Sequence, residues 1–408
     1  MDKYSSYKDS GVKWLGEIPS HWEMVRLRYL CRIKTGDKDT INRDENGKYP
    51  FYVRSPKVER INSYTYDGEA VLMAGDGVGA GKVFHYVNGK FGCHQRVYII
   101  NNIEKVNGKF LYYYMQSKFK YVIEQLSAKS TVDSVRLNML QDFNVLIPSL
   151  KEQLSIIKYI EFSVYQIDTA IEQQKKMIDL LNERKQIIIN NAVTKGLDPN
   201  VKMKDSGVDW IGEIPEGWEV RRLKTILHTK DKRNSDPNAL LLSVYTAIGV
   251  RPRQELEERG NKASTVINYK IVNKGDLIVN RLLAWMGAYG LSDYNGVTSP
   301  DYDVYSFQGK VNIHYYETLF RNTQFKSDCY KYGHGIMMMR WRTYSDEFLS
   351  INVPIPPKEE QDAIYDYLRP QIKKITEGVY QCEQQIALLQ ERKQIIINEV
   401  VTGKVKVS

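Results

Sequence analysis

Two stripes of apolar residues dominate the hydrophobic pattern of this chain. The first runs through Ile157, Ile160, Val164, Ile167, Ile171, Gln174, Ile178, Leu181, Lys185, Ile188 and Ala192, alternately three and four residues apart. The second repeats that spacing 208 residues later, through Tyr365, Leu368, Ile372, Ile375, Val379, Cys382, Ile386, Leu389, Lys393, Ile396 and Val400. Such spacing marks the seam of a coiled-coil helix. At about 1.5 Å per residue, a 44-residue helix would run roughly 66 Å. Neither stripe is stable against water, and the two match in length. The pattern therefore predicts that the helices pair with each other, antiparallel, because a whole globular region separates them in the chain. Pro370 lacks a backbone donor and predicts a kink or restart early in the second helix. Lys185 and Lys393 interrupt the apolar seam at corresponding positions, as residues that set register or face another protein would.

The remaining chain is also written twice. Residues 8–30, KDSGVKWLGEIPSHWEMVRLRYL, return as KDSGVDWIGEIPEGWEVRRLKTI at 204–226, with 14 of 23 positions identical. ERKQIIIN at 183–190 recurs unchanged at 391–398, and Ile147-Pro148 and Glu152-Gln153 recur as Ile355-Pro356 and Glu360-Gln361. Between these blocks the two halves share almost nothing. Short β-rich runs (Ala70–Met73, Val97–Ile100, Leu277–Asn280, Val304–Phe307) and a helical stretch at 110–126 give the middles an α+β reading. The plan is an internal pseudo-twofold duplication: a globular domain at 1–148, a helix at 149–193 and a linker at 194–203. A second domain follows at 204–356, then a helix at 357–401 and a tail at 402–408. Trp14 and Trp22, like Trp210 and Trp218, bracket Gly-Glu-Ile-Pro, and their recurrence suits staples of each domain onto a helix or contacts to a partner protein.

Composition narrows the class. The 408 residues are 42% hydrophobic, enough for true cores. No apolar run approaches the ~18 residues of a membrane span, and the N-terminus lacks a signal-peptide profile. Cys31, Cys93, Cys329 and Cys382 show no paired metal-ligand spacing, which suits a reducing cytoplasm and argues against structural zinc. The net charge of +9 is unevenly spread: the first globular region sums to +6, the second to +2, and the helices to zero and −2. A mild positive excess in the globular regions hints at an anionic partner.

Catalytic motifs fail one by one. The stretch Ala74–Lys82 invites a phosphate-loop reading, but Asp76 and Val83 stand where that loop needs glycine and a hydroxyl. A flexible recognition loop or a simple surface turn suits it better. Pro300-Asp301 is followed by no (D/E)xK, and no Asn-Pro-Pro-aromatic or Asp-Pro-Pro-aromatic tetrad occurs. Other residues fit nucleic-acid reading, because arginine matches guanine edges or phosphates and aromatics pack on sugars and bases. Arg340, Trp341 and Arg342 follow a Gly-His-Gly loop, while Asn280, Arg281 and Trp285 leave a strand for a loop. Lys82, Gln95, Arg96, Ser130, Thr131 and Arg136 hold comparable loop positions in the first region. Each alone suits an ordinary surface group; the set is more suggestive than its members.

The order W-x-G-E-I-P-x-x-W, a variable domain, I-P-x-x-x-E-Q and a long helix ending in ERKQIIIN, used twice over 8–404, resembles the specificity subunit of Type I restriction–modification systems. The resemblance implies two target recognition domains, each reading one half of a bipartite, asymmetric site in double-stranded DNA. It implies an antiparallel coiled coil that sets the gap between the halves. It further implies assembly with two modification subunits, which bind S-adenosylmethionine and methylate adenine, and two restriction subunits, which use ATP and Mg to translocate and cut. This chain would then hold no cofactor or metal and perform no catalysis. A coiled-coil scaffold with two protein-binding adaptor domains is the alternative, and steep salt dependence of binding would favour DNA.

Overall fold

The computed structural model describes residues 2–127, 134–246, 248–255, 265–335 and 341–407. It divides into two compact units, Met1–Lys175 with Glu383–Ser408, and Lys176–Cys382.

In the first unit, β1 (Tyr7–Asp9) and β2 (Glu17–Pro19) make a small antiparallel pair. Gly11 and Gly16 supply the positive φ its connection needs, at +67° and +69°. β3 (Glu23–Arg26) waits for a distant partner. Strands β4 (Arg32–Thr35), β5 (Tyr49–Tyr52), β6 (Glu59–Ile61), β7 (Tyr66–Ala74), β8 (Phe84–Cys93) and β9 (Val97–Asn101) form one sheet, ordered β4-β9-β7-β8-β5-β6. Only β5 and β8 run parallel within it. The central β7 carries buried Ala70–Ala74 and registers Ala74 opposite Val97 of β9. Helix α1 (Gly108–Ser127) packs Phe110, Leu111, Tyr114, Met115 and Phe119 onto that sheet. After the short α2 (Leu137–Gln141), β10 (Asn144–Ile147) closes on β3 and leads into α3 (Leu150–Lys195).

The second unit reuses the repeated parts and changes the middle. β11 (Met203–Asp205) and β12 (Glu213–Pro215) pair as β1 and β2 do, 196 residues on in register, with Gly207 and Gly212 at φ +70° and +69°. β13 (Glu219–Arg222) again awaits the last strand. Between them lie β14 (Leu227–Lys230), β15 (Leu242–Tyr245), β16 (Gly249–Pro252), β17 (Lys270–Val272), β18 (Leu277–Asn280), β19 (Tyr289–Leu291), β20 (Gly296–Thr298) and β21 (Tyr302–Phe307). These give a four-stranded antiparallel sheet, β14-β21-β18-β19, and the pairs β15-β16 and β17-β20. Helices α4 (Ile313–Phe320), α5 (Thr323–Tyr332) and α6 (Ser345–Ser350) cover it, and β22 (Asn352–Ile355) pairs with β13 before α7 (Lys358–Val401).

All four strand runs and the helix expected from sequence are present, within β7, β9, β18, β21 and α1. Every seam position of both long helices is buried or half-buried. In the first unit Ile156, Ile157 and Ile160 of α3 share a core with Ile397, Val400 and Val401 of α7. In the second, Ile189, Ala192 and Val193 share one with Ile364 and Leu368. Pro370 does not restart α7, which is helical from Lys358 to Val401. One missing N–H removes a single hydrogen bond, and the buried seam on either side keeps the helix continuous.

Candidate nucleic-acid interface

The repeated blocks act as joints. Trp22 is fully buried and donates its Nε1–H to Glu152 Oε1 at 3.2 Å. Trp218 does the same to Glu360 Oε2 at 2.8 Å. Each acceptor lies in the first turn of a long helix, where a carboxylate also offsets the positive helix end. The neighbouring glutamines complete the pattern. Gln153 Nε2 donates to Pro148 O while its Oε1 accepts from Asn107 N, at 2.9 and 2.7 Å. Gln361 treats Pro356 O and Asn312 N alike, both at 2.8 Å. Trp14 stacks parallel to Tyr121 and Phe143, with centroids 5.8 and 6.1 Å away. Trp210 donates to Asn352 O at 3.2 Å and meets the Phe325 edge. The repeated asparagines near the helix ends face the globular folds. Asn398 Oδ1 accepts from Ser117 Oγ at 3.3 Å, and Asn190 Oδ1 from Asn322 Nδ2 at 2.8 Å. Of the two seam lysines, Lys393 reaches Asp168 at 2.8 Å. Lys185 is half-buried, and burial with nearby Arg321 holds its ammonium below the usual lysine range.

At the end of the central sheet of the first unit, three loops converge. The loop after β7 meets the turn before β9 through Gly75 N to Arg96 O, 2.9 Å, and meets residues 134–136 through Val135 N to Gly75 O, 2.7 Å. Tyr98 OH adds a bond to Val135 O at 2.9 Å. Asp76 lies at their junction with its side chain 16% exposed and accepts from Arg54 Nη1 at 3.0 Å and from Arg96 Nη1. Burial by itself would raise the Asp76 carboxyl, but the two guanidiniums outweigh it and hold it below the usual carboxylate range. Gln95 Nε2 donates to Asp39 Oδ2 at 2.6 Å. Lys82 and Arg136 are exposed on the same loops. Ser130 and Thr131 lie outside the described residues. The base of this loop is closely packed, while Val78 at its tip is 97% exposed. A side chain on Gly79 would collide with Arg54 O, and one on Gly81, at φ +64°, would meet Ile123 at 2.9 Å. Close approach of backbone to neighbours is why glycine recurs there.

The second unit gathers its candidates at the equivalent strand ends. Asn280 is almost wholly buried, and its Oδ1 accepts from Leu282 N at 3.1 Å, so its side chain faces inward. Arg281 binds Asp303 side-on, with Nε to Oδ2 at 2.8 Å and Nη2 to Oδ1, and this holds its pKa above the usual arginine value. Lys270 Nζ reaches the same carboxylate at 3.2 Å. Thr343 N donates to Arg281 O at 3.0 Å, which brings the segment of Trp341 and exposed Arg342 alongside. Trp341 stacks on Tyr330 with centroids 4.8 Å apart, and Trp285 meets the edge of that tyrosine at 5.9 Å. Arg340 lies outside the described residues.

Sequence reasoning missed Arg54, Asp76, Lys270, Asp303 and Tyr330. Asp76 sat inside the glycine-rich stretch, but nothing along the chain links it to Arg54 or Arg96. Among the described residues no three His, Cys, Asp or Glu side chains are grouped as a metal ion would require, and no helix is long and apolar enough to cross a membrane.

Comparison with known proteins points one way. The family model for the Type I restriction modification DNA specificity domain matches residues 19–179 and again 215–384. The Escherichia coli Type I restriction enzyme EcoDI specificity subunit is 23% identical over 374 residues, covering 86% of this chain and 81% of that one. A putative MjaX specificity subunit of Methanocaldococcus jannaschii is 26% identical over 447 residues, covering 98% of each. A solved chain from work on complex assembly and conformational transition of the type I R-M system superposes with TM-score 0.68 at 14% identity, over 95% of this chain and 99% of that one. The HsdS subunit from Thermoanaerobacter tengcongensis gives TM-score 0.50 at 13% identity, over 97% and 100%.

Proposed function

Because the chain belongs to the Type I restriction modification DNA specificity family, we propose that it is the DNA-recognition subunit of such a system, without catalysis of its own. Residues 1–148 and 204–356 are its target recognition domains, each reading one half of a bipartite site. Residues 149–193 and 357–401 are spacer helices, 194–203 the linker and 402–408 the tail. The observation that carries this reading is a duplicated frame around unlike middles. The Trp–Glu and Gln–carbonyl joints are repeated bond for bond, while the sheets they hold differ in strand number, six against four with two separate pairs beside the second. Surfaces that meet equivalent partner subunits must stay alike, whereas surfaces that read different half-sites must diverge.

In both units the start of one long helix shares a core with the end of the other, as an antiparallel coiled coil requires. Such a rod is a ruler: its length at about 1.5 Å per residue converts to base pairs at about 3.4 Å each if it lies along the duplex. Exposed Phe162, Tyr165, Leu180, Ile187, Leu388 and Ile395 on these helices suit docking of partner chains. Two modification subunits would bring S-adenosylmethionine and flip the adenine out, and two restriction subunits would bring ATP and Mg. The setting is the cytoplasm. The candidate DNA-facing residues are Lys82, Gln95, Arg96, Ser130, Thr131, Arg136, Arg281, Trp285, Arg340, Trp341 and Arg342, with Asn280 supporting their loop from inside.

The test is to express the chain with its modification subunit in a methylation-free host and map methylated adenines. A split motif with a fixed gap is expected. Methylation by this chain without any partner, or methylation with no sequence motif, would overturn the reading.

A further inference from the structure

The two units build the same ion-pair cluster with its charges exchanged. In the first, β7 ends at Ala74 opposite Val97 of β9; the acid, Asp76, follows the central strand and the base, Arg96, precedes its neighbour. In the second, β18 ends at Asn280 opposite Tyr302 of β21; the base, Arg281, follows the central strand and the acid, Asp303, stands on the neighbour. Each carboxylate is nearly or wholly withdrawn from solvent, and each is held by two cations: Arg54 and Arg96, or Lys270 and Arg281. Sequences that share almost nothing here have arrived at one device at one place.

Donor geometry says what the device leaves free. A guanidinium carries five N–H donors in a rigid fork. Asp76 engages only Nη1 of Arg96, so among the described residues the Nε–Nη2 edge is open, and that side chain is 60% exposed. Asp303 takes Nε and Nη2 of Arg281, which leaves the end-on Nη1–Nη2 edge on a side chain 29% exposed. Each arginine is thus fixed with one two-donor edge unspent among the described residues. Its charge is part-neutralised by the carboxylate, which weakens its pull on phosphate while keeping the directional donors. A fixed, two-donor, part-neutralised edge suits the paired O6 and N7 acceptors of guanine better than a phosphate.

Resting on the function proposed above, we infer that Arg96 and Arg281 each read a guanine, one in each half-site, and that Asp76 and Asp303 are the positioning residues that aim them. The clusters are the corresponding reading heads of the two recognition domains.

The full chain, expressed with its modification subunit in a methylation-free host, provides the test, with methylated adenines mapped genome-wide and melting of each purified complex recorded. Arg96→Ala and Arg96→Lys should relax a guanine requirement at one position of one half-site only. Arg281→Ala and Arg281→Lys should do so in the other half only. The expected loss of preference is about 5- to 150-fold at that position. Asp76→Asn should relax the same position as Arg96→Ala, because it acts through that side chain. Asp303→Asn takes from buried Lys270 its nearer carboxylate and leaves it only Asp231 at 3.7 Å, so the Arg281 variants, which keep the Asp303–Lys270 pair, carry the second arm if that protein does not fold. Unchanged motifs in folded variants would overturn the inference. So would methylation that falls evenly over all sites, or a wild-type half-site without a G·C pair. A wild type with no split motif would overturn the functional reading and this inference together, whereas a split motif indifferent to these substitutions would overturn this inference alone.

Discussion

Replacing Glu152 with alanine should loosen the joint between the first globular region and α3 by about 2–4 kcal/mol. Oε1 of Glu152 accepts from Trp22 Nε1 at 3.2 Å and sits 2.8 Å from His21 Nε2. Oε2 accepts from Ser149 N at 3.1 Å and Ser149 Oγ at 2.6 Å, which makes a capping box at the start of α3. Without the carboxylate, the N–H of fully buried Trp22 has no acceptor, a cost of about 1–3 kcal/mol. Loss of the cap adds about 1 kcal/mol, and the more exposed His21 contact at most a few tenths. Glu360→Ala in the second unit removes the same tryptophan bond but no serine cap, so it should cost about 1 kcal/mol less. Acidity gives a second signature. Burial would raise the Glu152 carboxyl, but bonds from Ser149, His21 and Trp22 outweigh it and lower it from an ordinary 4.5 to about 2. A carboxyl depressed on folding stabilises fully above its unfolded value. That stabilisation should fade as pH drops from about 4.5 through about 2. Glu152→Gln should flatten this dependence, since a carboxamide takes up no proton in that range. Hydrogen exchange read by mass spectrometry over residues 149–160 measures the opening free energy directly. A change below about 0.5 kcal/mol for Glu152→Ala, or identical pH profiles for wild type and Glu152→Gln, would refute the reasoning.

Gly403→Ala should lower stability by roughly 2–4 kcal/mol, because φ is +71° there and a methyl would stand 2.5 Å from the Pro19 ring and 3.0 Å from Trp22. Thermal melting should show the loss in the transition of the first unit and leave that of the second in place. Deleting seven residues in register from both long helices removes about 10 Å, hence about three base pairs of gap, with both half-sites retained; an unchanged gap in the methylated motif would end the ruler idea. Exchanging residues 30–146 for another recognition domain should alter one half-site only, and a methylation map changed in both halves would count against modular reading. Lys393→Met should shift stability by no more than about 1 kcal/mol, because its partner Asp168 is half exposed and the seam accepts an apolar side chain; urea unfolding checks it.

Much of this molecule is local in origin, and so was legible along the chain. The seam of α3 and α7 follows from a spacing of three and four, because a helix turns identical neighbours to one face whatever surrounds it. Repetition of the blocks around Trp22 and Trp218 announced equivalent joints, although not that their acceptors would be Glu152 and Glu360. Pro370 does not restart the helix, because one lost donor weighs little against a seam buried on both sides. The glycines of 74–83 suggested freedom of the chain, but part of their role is packing. Their freedom is spent on packing against Arg54 and Ile123, which a sequence cannot display. Arg96 and Arg281 were candidates from sequence, but the carboxylates that hold them were not. Arg96 and Asp76 stand 20 residues apart, and Arg281 and Asp303 stand 22 apart. What brings them together is strand order: β9 lies beside β7, and β21 beside β18. That order is settled by which sheet buries its apolar faces best, a property of the whole fold. Sequence periodicity determined the frame. The three-dimensional pairing of strands decided which charges meet, and with it which arginines are fixed and facing outward.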